Sequence, residues 1–221
     1  MVFKSVALAL VLVALVLPTL AAAQNLVING GFTSDLSAWT LETSSSIEDS
    51  WSVLDAQALS SSGSMAVTSS DPTNNPSFSL TAARQCVPIT ASVSYLLGVD
   101  ILVPAGQSRS GEAIGGVSFY TSADCGSGQL GGTSLTSTTT GVWEPLSTHV
   151  TAPAGARSAY VYLDILKNEG GGTLQSLFDD VVFSAASSSR GCTPDATHLC
   201  LLSDRFRVSV DWTDYNTGIT A

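Results

Sequence analysis

Ala159-Tyr160-Val161-Tyr162-Leu163-Asp164-Ile165-Leu166 is the stretch that decides the fold class. Val161, Leu163 and Ile165 form one apolar row, while Tyr160, Tyr162 and Asp164 fall on the opposite side. A period of two is that of a β-strand with one face in a core and the other turned outward. The same reading extends in both directions. Residues 92–103 place Val93, Tyr95, Leu97, Val99 and Ile101 on one parity, so Tyr95 is predicted to be buried; the run stops at Pro104-Ala105-Gly106, which supplies turn geometry. Residues 116–121 send Val117 and Phe119 inward and Ser118 and Tyr120 outward.

Further short runs at 25–32, 39–42, 51–54, 64–68, 77–87, 142–150 and 177–183 are separated by turn signals such as Asn29-Gly30-Gly31, Ser62-Gly63 and Pro153-Ala154-Gly155. No stretch carries a helical period. The expectation is all-β: a β-sandwich or jelly roll spanning 24–185. A 44% hydrophobic content in strand-like runs argues against a disordered Ser/Thr-rich stalk.

Ahead of this domain, one positive charge at Lys4, an apolar run to Leu20 and the small residues Ala21-Ala22-Ala23 read as a secretory signal peptide over 1–23. Localisation is then secreted, periplasmic or at the cell surface. No later segment is apolar enough to span a bilayer. The net charge of −10 becomes one unit more negative once Lys4 leaves, which opposes nucleic acid and anionic membranes as partners. After the sandwich, 186–221 reads as a linker and a partial β module. Phe206, Val208, Val210 and Trp212 alternate with polar residues there, giving a half-buried strand that either docks on the sandwich or belongs to a module continuing beyond Ala221.

Cys86, Cys125, Cys192 and Cys200 all lie in the expected exported part. An even count in that setting predicts two disulfides. Three pairings are formally open; Cys86–Cys125 and Cys192–Cys200 are the economical ones. Zinc would need paired Cys spacing or clustered His, and the chain has only His149 and His198.

The outward row Tyr160, Tyr162 and Asp164, joined by Tyr120, is the candidate ligand site. Flat aromatic rings stack on the C–H face of a pyranose while a carboxylate accepts its hydroxyl protons. Tyrosine also populates strands for packing alone, and both uses stay open. Trp39, Trp51 and Trp143 are expected as core or sheet-edge anchors.

Asn25-Leu-Val-Ile-Asn-Gly-Gly-Phe32 followed by Trp39, then Ser62-Gly63-Ser64, Gln85-Cys86-Val87 and Phe178-Asp179-Asp180-Val181, together resemble galactose-binding-like jelly rolls. The pattern looks most like carbohydrate-binding modules of the cellulose- and xylan-binding type. The resemblance covers about 25–184 and implies a non-catalytic module that binds neutral poly- or oligosaccharide. Such modules often hold a structural calcium ion between the opening loop and the closing strand. The acidic position after the Asn-Gly-x-Phe opening is Thr33 here, and Asp179 is the implied carboxylate ligand. Cys192-Thr-Pro-Asp-Ala-Thr-His-Leu-Cys200 and the strand after it resemble the start of a small β module at the ends of secreted bacterial proteins.

No catalysis is expected. The chain lacks GxSxG, HExxH and phosphate-loop patterns, and Glu42, Glu48, Glu112, Glu144 and Glu169 read as loop or solvated-face residues rather than a converging pair. The alternative to glycan binding is a structural or adhesive surface protein that uses the sandwich, or its C-terminal strand, for protein contacts.

Overall fold

The computed structural model describes residues 24–42, 45–70 and 80–186. The leader at 1–23 and the segment 187–221, with Cys192, Cys200 and the alternating tail strand, lie outside the described residues. Among the described residues there is no helix, and none is long and apolar enough to cross a membrane.

Among the described residues ten strands form two antiparallel sheets: β1 Thr40–Leu41, β2 Ile47–Ser52, β3 Ser64–Ser69, β4 Leu80–Pro88, β5 Ser94–Leu102, β6 Gly111–Tyr120, β7 Gln129–Ser137, β8 Trp143–Thr151, β9 Ser158–Lys167 and β10 Leu174–Ala185. One sheet runs β1-β4-β9-β6-β7 and the other β2-β3-β10-β5-β8. Their inner faces supply the core: Val161, Leu163 and Ile165 of β9, Val117 and Phe119 of β6, Leu97, Val99 and Ile101 of β5, and Phe178, Val181 and Phe183 of β10. Tyr95 is buried as expected, stacked on Phe183 with centroids 4.9 Å apart, and its hydroxyl accepts the Thr90 N–H. The all-β jelly-roll expectation holds.

Two local expectations need correction. Residues 25–32 do not form a strand. They make one isolated bridge, Asn25 to Ser184, and then turns. The reason is a bulge in β10 between Asp179 and Val182, with Asp180 at φ 45°, which turns backbone groups of β10 toward the opening segment. The Asn25 side chain meets them: its amide donates to the Val181 carbonyl and its oxygen accepts the Phe183 N–H, while the Val181 N–H donates to Gly30. A Cβ at Gly30 would collide with the Val181 carbonyl, so the loop approaches this closely only with glycine there. Gln85 completes the anchorage, accepting the Ile28 N–H and donating to the Ile28 and Ala38 carbonyls. Beyond this, β7 was absent from the sequence reading. Its Gly131, Gly132 and run of Ser and Thr lack an apolar row, and it holds its place by pairing with β6.

On edge strand β2, Asp49 shares the inward parity of Ile47, and both its carboxylate oxygens are buried without a hydrogen-bond partner among the described residues. Burial, then the nearby Glu42 charge, pushes this carboxyl up to about 7. The folded state therefore retains a proton that the unfolded chain releases near pH 4, so stability falls as pH rises from about 4 to about 7 and stays lower above that. Asp49→Asn should flatten this slope and raise the thermal midpoint at pH 8 by at least about 2 °C relative to the parent. Melting curves across pH 4–9 check it, and an unchanged slope would remove Asp49 from the account.

Candidate functional site

The strand register fixes what stands beside each outward residue of β9. Arg84 of β4 and Gly116 of β6 are the direct partners of Tyr162; Cys86 and Ser118 are those of Tyr160; Thr81 and Ile114 are those of Asp164. Directly opposed residues of an antiparallel pair share a face. Thr81, Arg84, Ser118, Tyr120, Tyr160, Tyr162 and Asp164 accordingly line one depression of about 220 Å³ on the outer face of the sheet. A second, of about 210 Å³, lies toward β1 and shares Thr81 and Arg84 with the first. All four residues expected from outward parity, Tyr120, Tyr160, Tyr162 and Asp164, are thus brought together.

Their roles within the depression differ. The Tyr160 ring is flanked on two sides: the Arg84 guanidinium sits over it, 5.0 Å from the centroid, and Tyr120 meets it in a T-shaped contact at 5.5 Å and 85°. Tyr162 has no ring contact of this kind among the described residues. Its phenol is held above the ordinary range by burial, then by the Asp164 charge and by Tyr120. Asp164 is itself buried, at 7% exposure. Arg84 is exposed and makes no hydrogen bond or ion pair with a described residue, so its N–H groups face solvent within the depression. The floor therefore presents an aromatic surface, a guanidinium donor and the hydroxyls of Thr81 and Ser118, with the largely buried Asp164 carboxylate beside them.

Arg84, Thr81 and Ser118 were missed by the sequence reading. The irregularity in β4 between Thr81 and Ala83 breaks its alternation, but parity counted back from Cys86 places Arg84 on the outer face and was a usable signal.

The Cys86–Cys125 disulfide forms as expected, with Cα atoms 6.1 Å apart. Cys86 is the β4 neighbour of Tyr160, so the bond ties the 121–128 loop to the sheet at one end of the tyrosine row. The Ser158 hydroxyl reinforces it, accepting the Cys125 N–H and donating to the Ser122 carbonyl.

Asp179 lies elsewhere. The bulge puts it on the outer face of the other sheet, opposite Asp100 of β5, so although it lies two and four residues before Val181 and Phe183 it does not share their inward direction. It is fully buried, accepting the Ala56 N–H at 2.9 Å and the Asp180 N–H at 2.7 Å. Burial pushes its carboxyl up to about 7, with Asp180 and Asp55 adding repulsion against those two hydrogen bonds. The residues present do not fit a calcium ion. Asp55 accepts the Gln57 and Leu59 N–H groups, the Gln57 amide donates to Asp100 and Asp180, and the Phe32 carbonyl accepts the Trp51 indole. Asp35, the first acid after the opening, is turned to Asn29 and Ser37. Among the described residues no three His, Cys, Asp or Glu side chains are grouped to hold a metal.

No protein-family model matches this sequence, and comparison with curated proteins finds no match. Solved structures do match in fold. The enzymatically active domain of tailspike protein 4 of bacteriophage CBA120 superposes with a TM-score of 0.53 at 15% identity, covering 73% of this chain and 21% of that one. A Bacteroides thetaiotaomicron protein named for sugar binding gives 0.51 at 10% identity, covering 73% of this chain and all of its own. A family 61 carbohydrate-binding module in complex with β-1,4-galactotriose gives 0.49 at 15% identity over 74% of this chain and 99% of that one. The chain thus spans about a fifth of the tailspike it matches. At these identities the likeness is one of fold: the jelly roll expected from the opening and closing motifs.

Two outcomes follow. Replacing Cys86 and Cys125 by Ser should lower unfolding free energy by about 2–4 kcal/mol, measured by denaturant titration, because a 39-residue separation is no longer bridged in the unfolded chain. Adding calcium or chelator should leave the thermal midpoint unchanged; a calcium-dependent rise would show that the Asp55, Asp179 and Asp180 carboxylates regroup around an ion.

Proposed function

We propose that the sandwich is a non-catalytic carbohydrate-binding module of an exported protein, and that its ligand is a neutral poly- or oligosaccharide held on the outer face of the β1-β4-β9-β6-β7 sheet. The observation that carries this reading is the grouping of Tyr162, Arg84 and Asp164 in one depression on adjacent strands. A sugar ring needs an apolar surface for its C–H face and both donors and acceptors for its hydroxyls, and this floor supplies all three within neighbouring registers. Arg84 offers paired N–H donors to vicinal hydroxyls; Asp164 accepts from hydroxyls on the far side of the ring.

The charge balance favours a neutral ligand. One guanidinium and one carboxylate share the floor, and the chain as a whole is strongly negative, so a polyanion is repelled at long range.

The test is a binding screen of the whole chain against soluble and insoluble β-glucans, xylan, galactan and arabinan. Saturable binding to one sugar class is expected. Tyr162→Ala should weaken it about tenfold or more, equivalent to about 1.4 kcal/mol, while the domain still folds. No binding to any of these polymers would overturn the reading.

A further inference from the structure

Two consecutive glycines, Gly115 and Gly116, occupy the middle of β6, and they answer to opposite faces of the sheet. A Cβ on Gly115 would meet the Val99 side chain of β5 at 2.7 Å, so that glycine serves the packing between the two sheets. At Gly116 the three nearest atoms to a Cβ all belong to Tyr162: Cε2 at 2.7 Å, with Cζ and the hydroxyl closer still. The distal half of the Tyr162 ring thus occupies the space that any other residue at 116 would fill. Gly116 is the direct register partner of Tyr162, and no positive φ requires glycine at this position.

A glycine that backbone geometry does not demand, in a strand interior where it weakens the sheet, marks a close approach. Here the approaching group is the aromatic ring that the glycan reading depends on. We infer that Gly116 is a positioning residue: it lets the Tyr162 ring lie low across β6 as the floor of the depression, and any side chain at 116 lifts the ring out of that pose. The inference about the ring stands on the packing alone; its consequence for sugar binding rests on the proposed function.

The substitution that tests it is mild. The clashing atoms are the free end of a side chain with two rotatable bonds, so Gly116→Ala is relieved by Tyr162 swinging away rather than by backbone movement. Alanine also suits a strand interior at least as well as glycine. The variant should therefore fold with an unchanged or higher thermal midpoint.

Three readouts decide the matter. In the parent chain, NMR should show nuclear Overhauser contacts between Tyr162 ring protons and the Gly116 α-protons; their absence would overturn the proposal without any variant. In Gly116→Ala, the Tyr162 phenol, isolated by difference against Tyr162→Phe, should titrate closer to the ordinary tyrosine range because the ring has left its buried pose. An unchanged titration overturns the proposal. Affinity for the polysaccharide found in the screen should fall about tenfold, and affinity equal to the parent would show that the ring's pose does not matter to binding. If the phenol shifts while the parent binds no polysaccharide, Gly116 keeps its positioning role and the glycan reading is what fails.

Discussion

The pleat of β9 is the constraint on which the rest of the domain depends. This strand lies at the centre of its sheet, hydrogen-bonded to β4 on one side and β6 on the other, so its register is fixed twice. Val161, Leu163 and Ile165 must face the core, because a slip of one residue would drive Tyr160, Tyr162 and Asp164 into it. Burying a carboxylate there would cost several kcal/mol. The same apolar row that stabilises the sandwich therefore holds the outward row in place, and the site inherits the rigidity of the core beneath it.

Polar strain is concentrated at the opposite sheet and its edge. The β10 bulge frees backbone groups for Asn25 and Gly30 and closes the chain's opening segment onto its last strand. The same bulge turns Asp179 under the 53–59 loop, where it meets Asp55 and Asp180 with burial as the largest cost. Asp49 is a second buried carboxyl, on edge strand β2, without hydrogen-bond partners among the described residues to offset its burial. Each of these two carboxyls, pushed up to about 7, contributes stability that is lost as pH rises from about 4 to about 7, independently of the tyrosine face.

Fold likeness and ligand are separate matters in this architecture. The inner face of a jelly-roll sheet is constrained by the core, and chains of 10–15% identity still superpose on this sandwich. What distinguishes this surface is its own arrangement. Arg84 lies over Tyr160 and Tyr120 abuts it, while Tyr162 has no ring contact of this kind among the described residues.

The sequence by itself determined the all-β class, the inner and outer faces of β5, β6 and β9 and the burial of Tyr95, and it made Cys86–Cys125 the economical pairing among three. These rest on a period-two alternation and a cysteine count, both readable along the chain without knowing which strands are neighbours. Only the tertiary structure decided that residues 25–32 are a loop, that β7 is a strand, that Asp179 faces outward beneath a loop, and that Arg84 and Gly116 flank Tyr162. Each of those depends on cross-strand register or on a bulge, which pair residues far apart in sequence and shift parity by one. Alternation tells which way a side chain points; which side chains it meets is set by hydrogen bonds between strands that no local pattern records.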